Sequence, residues 1–149
     1  MDFNNENEVT RLCAEGMEFE GKGETSSAVN LFEKAWAIAS TDFEKFTAAH
    51  YVARHQSTIL QKLNWDETAL KHALLIGEDN VKSVLPSLYL NIGKCYEDLN
   101  DPINAKMYYE KAFFFAEYLP ENEYGCMIKS GIVRGMERIK LLNKGDKNL

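Results

Sequence analysis

Between Pro86 and Ala112 the apolar residues fall on two helical faces, one after the other. Tyr89, Ile92, Gly93 and Tyr96 recur at steps of three and four, and Ala105, Tyr109 and Ala112 do the same beyond a turn. Asp101-Pro102 between them reads as a helix start, because Asp accepts from free amides and Pro at the first helical position has no N–H to leave unpaired. A helical hairpin is predicted there.

The same period recurs along the chain. It predicts a helix from Val9 to Glu20, a break at Gly21-Lys22-Gly23, and a second helix from Thr25 to Ala39 with Ala28, Leu31, Phe32, Ala35, Trp36 and Ile38 toward one side. Thr41-x-x-Glu44 fits a capping box that opens a longer helix from about Asp42 to Leu63. Asn64, with Glu67 three residues on, restarts a helix to about Gly77, and residues 78–82 form a polar connection. In the third pair the second helix extends through Phe113-Phe114-Phe115 to Tyr118, and Pro120 closes it. A last helix from Glu123 to Leu142 carries Met127, Ile128, Ile132, Val133, Met136 and Ile139. Met1 to Glu8 reads as a frayed lead-in and residues 143–149 as a disordered tail. No stretch alternates in the manner of a strand, so the expected fold is all-α with seven helices.

Three helix pairs share one arithmetic: a small residue, a large one three later, and an alanine twelve later. The sets are Gly16, Phe19 and Ala28; Ser57, Leu60 and Ala69; and Gly93, Tyr96 and Ala105. Small residues let two antiparallel helices approach, and the bulky one fills the wedge against the next pair. In this pattern the chain resembles the tetratricopeptide repeat. Leu12, Gly16, Phe19, Ala28, Phe32 and Ala35 match it, and Tyr89, Gly93, Tyr96, Ala105, Tyr109 and Ala112 match it better. The middle unit keeps Ala53, Ser57, Leu60 and Ala69 but has Gln56, Ala73 and Ile76 at three further pattern positions. AAHYVARHQ, PSLYLN and EYGCMIKSGI are also similar to small stand-alone bacterial proteins of this kind. The resemblance implies a right-handed superhelix of three hairpins in a single domain, with repeats at about 9–40, 42–78 and 83–119 and a capping helix at about 123–142.

Charge and composition narrow the chemistry. Seventeen basic against twenty-three acidic residues give a net charge of −6, which argues against nucleic acid as a partner, because phosphate-backbone affinity comes from clustered Lys and Arg. The apolar runs fall short of the roughly 20 residues a membrane span needs, and the first residues lack a signal segment, so no membrane partner and a cytoplasmic location are expected. Cys13, Cys95 and Cys126 are odd in number and lack CxxC spacing, which predicts reduced thiols. His50 and His55 stand about 140 degrees apart round a helix, and neither HExxH nor CxxC accompanies them, so no metal site is predicted. Gly21-x-Gly23 joins helices instead of following a strand. The isolated Pro86, Pro102 and Pro120 exclude the Pro-Pro motif of a nucleic-acid methyltransferase, and nothing near Cys13 in sequence supplies a base. No enzyme and no cofactor are expected.

The resemblance further implies a concave face lined by the first helix of each pair. Tyr51, Arg54, His55 and Thr58 would lie there on the second pair; Ser87, Leu90, Asn91 and Lys94 on the third; and Lys129 on the capping helix. The first pair would add Thr10, Cys13, Ala14 and Met17, which lack the Lys and Asn of a chaperone-tail clamp. Arg54, His55, Lys94 and Lys129 beside Tyr51 suggest an acidic or carboxylate-bearing peptide as ligand. The expected function is a non-enzymatic protein- or peptide-binding module. The alternative is a sensor closing the same groove around a compact ligand. The Phe113-Phe114-Phe115 run packs beneath the capping helix in one reading and forms a dimer surface in the other, so a monomer or weak dimer is expected.

Overall fold

The computed structural model describes residues 7–147, with side chains to residue 145. Among them are eight α-helices: α1 (Glu8–Gly21), α2 (Thr25–Ile38), α3 (Asp42–Val52), α4 (Ile59–Ile76), the four-residue α5 (Glu78–Val81), α6 (Leu85–Asp98), α7 (Pro102–Phe114) and α8 (Glu123–Lys147). Two 3-10 turns follow α3 and α7, at Ala53–His55 and Ala116–Tyr118, and no strand occurs among the described residues. The chain divides into two compact units, Met1–Val81 and Lys82–Leu149.

In the first unit, α1 and α2 form one hairpin and α3 and α4 another, with α2 and α1 both packed on α3. Its core is Val9, Leu12, Cys13, Ala28, Phe32, Ala35, Ala48 and Val52, against which Phe19, Trp36, Tyr51 and Trp65 close. Gly16 is the close-approach point of the first hairpin, because the Phe32 ring occupies the space a Cβ there would need. Asn7, in the stretch expected to fray, instead caps α1 by accepting from the Thr10 amide at 3.1 Å. Its side-chain amide also donates to Glu44. The rest of that lead-in, residues 1–6, lies outside the described residues. The Thr41–Glu44 capping box forms as expected, with both reciprocal bonds at 3.1 Å.

The second hairpin turns elsewhere than expected. The helix from Asp42 ends at Val52, where Gln56 Nε2 donates to the Val52 carbonyl at 2.8 Å, and residues 56–58 are not helical. Thr58 then opens α4 through a second capping box with Gln61. Asn64 and Glu67 therefore lie inside a helix instead of starting one. Two boxes competed, and Thr58-x-x-Gln61 satisfies the free amides of α4 six residues before Asn64 could. In consequence Ser57 and Leu60 are exposed, and of that expected trio only Ala69 is buried.

The second unit consists of α6, α7 and α8, with α8 against both others. Tyr109 is fully buried at its centre, packed with Ala105, Ile139, Leu90, Tyr96 and Met136. Its ring fills a slot between two glycines: a Cβ on Gly93 would stand 2.9 Å from it and one on Gly135 2.6 Å. Here α7 stops at Phe114, before the expected Tyr118, and α8 continues to Lys147, past the expected Leu142 and into the stretch expected to be disordered. Residues 148–149 lie outside the described residues.

Candidate functional site

The residues chosen from sequence for a concave face fall into both units. In the first, Arg54 and His55 belong to the 3-10 turn after α3 and converge on one carboxylate. Glu20 Oε2 lies 3.3 Å from Arg54 Nε and 2.6 Å from His55 Nε2. Tyr51 stacks on Phe32 at 5.2 Å, with the Arg54 guanidinium 5.6 Å over its ring. Thr58 caps α4. Tyr51, Arg54 and His55 are thus brought together, but around a glutamate from α1, and Thr58 serves backbone amides.

In the second unit the expected exposed stripe is partly inside. Ser87 is buried in the first turn of α6, together with Leu85, Pro86 and Leu88, and Leu90 packs toward Gly131 of α8 at 3.0 Å from where a Cβ would sit. Asn91 is half-buried, and Lys94 is exposed and ion-paired with Asp98 at 2.6 Å. Lys129 is exposed on α8 and, like Arg134 five residues on, has neither an ion pair nor a hydrogen bond among the described residues. On the first pair, Thr10 and Cys13 are buried, and burial pushes the Cys13 thiol up to about 12, so it stays protonated.

Tight packing elsewhere is held by polar groups. Tyr109 Oη donates to Glu97 Oε1 at 2.6 Å, and Arg138 of α8 forks onto the same carboxylate at 2.8 and 3.0 Å. The guanidinium hydrogen bonds hold the Glu97 carboxyl below the usual carboxylate range, and burial beside that carboxylate raises the Tyr109 phenol. In the first unit, Nδ1 of His50 is buried without a hydrogen-bond partner, and desolvation, aided by Arg54 and Lys62, lowers this imidazole to about 4. No group of three or more His, Cys, Asp or Glu that could hold a metal ion occurs among the described residues. Nor is any described helix long and apolar enough to cross a membrane.

Of the two readings of the phenylalanine run, packing beneath the capping helix does not describe the outer flank of α7 and α8. Of the three consecutive phenylalanines, only Phe115 is buried; it stacks on Tyr89 at 6.1 Å. Phe113 is 56% exposed and Phe114 71%, so the run is not packed beneath α8. With Glu117, Lys129, Ile132 and Val133 they line a groove of about 620 Å³, open to solvent. Three adjacent positions on a helix span about 200 degrees, which is the signal that one of them must face inward and another outward.

Residues 86–113, nearly all of α6 and α7, match the tetratricopeptide-repeat family model. No curated protein matches the chain, and no solved structure does. The matched segment is the hairpin whose small-residue crossing Gly93 and Tyr109 define. Residues 86–113 accordingly match a tetratricopeptide repeat, set in a chain that is all-helical among its described residues.

Proposed function

We propose that this chain is a non-enzymatic module that binds a protein partner along the α7–α8 groove. Tetratricopeptide repeats are, as a family, protein-interaction elements. The observation that carries the proposal is the exposure of Phe113, Phe114 and Val133 side by side on the groove wall. Single exposed apolar residues are ordinary, but several large ones lining one depression mark a surface that is covered in use.

The rim gives the partner's chemistry. Lys129 offers a cation without an ion pair, whereas Arg54, His55 and Lys94 are engaged by Glu20 and Asp98. An acidic or carboxylate-bearing segment with a large apolar anchor fits Lys129 and its neighbours better than the 3-10 turn at Arg54. A groove open along its side also suits a protein surface more than a compact ligand closed off from solvent.

A photo-reactive amino acid placed at residue 114 in cells tests the site, with the same group at exposed Lys34 on α2 as reference. Protein adducts form from 114 and not from 34. A yield at 114 no greater than at 34 rejects the groove.

A further inference from the structure

The groove and the side chain that would fill it belong to one patch. Phe114 projects beside the depression, and Ile132 and Val133 of α8 line it. Glu117 and Lys129, opposite charges, line the same depression without an ion pair among the described residues. A surface carrying both a projection and its recess, and both members of a charge pair, is self-complementary, which is what an isologous contact requires. From these features we infer that the occupant of the groove is a second copy of this chain, related by a two-fold axis. The inference rests on the groove reading above and commits it to one partner.

In this arrangement Phe114 of each copy enters the other's recess against Ile132 and Val133, and Glu117 of each faces Lys129 of the other. The contact forms twice, so each substitution acts twice.

Sedimentation of the intact chain over the micromolar range tests this. The wild type runs at twice the 17.0 kDa of one chain, and Phe114→Glu runs at the single-chain mass with an unchanged circular dichroism melt. Glu117→Lys and Lys129→Glu each shift the equilibrium toward single chains. An equimolar mixture of these two variants, or both changes in one chain, restores the dimer, because each then again meets the opposite charge. A wild type at single-chain mass throughout, or a dimer indifferent to Phe114→Glu, overturns the inference. Photo-adducts from residue 114 separate the two ideas. Adducts of doubled mass support the second copy, adducts with foreign protein alone overturn it while keeping the groove, and no adducts at all overturn both.

Discussion

Tyr109 concentrates more constraints than any other described side chain of the second unit. Gly93 below it and Gly135 above leave space for the ring and nothing more, and its hydroxyl is held by Glu97, which Arg138 also grips. The two kinds of constraint differ in size. Tyr109→Phe removes one hydrogen bond while Glu97 keeps its guanidinium, so the expected loss is about 1 kcal/mol. Gly135→Ala drives a methyl to within 2.6 Å of the ring, so the helices must separate or the ring must turn, for about 1–3 kcal/mol. Urea denaturation midpoints should rank wild type above Tyr109→Phe above Gly135→Ala; Gly135→Ala equal to wild type would mean that the slot is not tight.

At the scale of the element, the first and third hairpins turn by the same hydrogen bonds. Glu24 N–H reaches the Phe19 carbonyl and Gly23 N–H the Glu20 carbonyl; Asp101 and Asn100 repeat this on Tyr96 and Glu97. This closure needs one residue in the left-handed region, supplied by Gly23 at φ 77° and by Asn100 at φ 60°. Asn100→Gly therefore stabilises, by a few tenths to about 1 kcal/mol, and Gly23→Ala destabilises by about 1 kcal/mol. Opposite signs in the two thermal melts check the equivalence. These two hairpins were legible in sequence because Gly16–Phe32 and Gly93–Tyr109 encode the helix crossing itself. The middle hairpin was not, since Ile59, Leu60 and Leu63 continue the apolar period across the Gln56–Thr58 break, and periodicity cannot choose between two capping boxes. Thr58→Ala, at about 1 kcal/mol, should cost more than Asn64→Ala, which would invert had the helix begun at Asn64. The groove was hidden for a related reason. A period places Phe113 and Phe114 on a face of α7, but only the distance at which α8 docks decides whether that face is covered.

For the molecule as a whole, acid sets two effects against each other. The chain carries a net charge of −6 and has an isoelectric point near 5.1, so protonation on the way down from neutral pH relieves self-repulsion and by itself favours the folded state. His50 acts the other way. Its imidazole titrates at about 6.5 when unfolded and at about 4 when folded, because burial and the nearby Arg54 and Lys62 disfavour its charge. Above 6.5 neither state holds the extra proton, and His50 adds nothing to the pH dependence of stability. Between 6.5 and 4 the unfolded chain binds a proton that the folded one refuses, so stability falls with pH; below about 4 this loss has levelled off, at about 3 kcal/mol. Glu44, whose backbone and side-chain hydrogen bonds hold it down at about 2, loses its contribution only below 4.5, and so acts later. A buried site is screened far less than a dispersed surface charge, so His50 should dominate between pH 6.5 and 4.5. His50→Gln keeps a polar, neutral side chain and leaves His55 and His72 in place. Urea midpoints measured at pH 7.5 and 5 should therefore drop in the wild type and drop markedly less in His50→Gln; equal drops would assign the acid sensitivity to the surface charges instead.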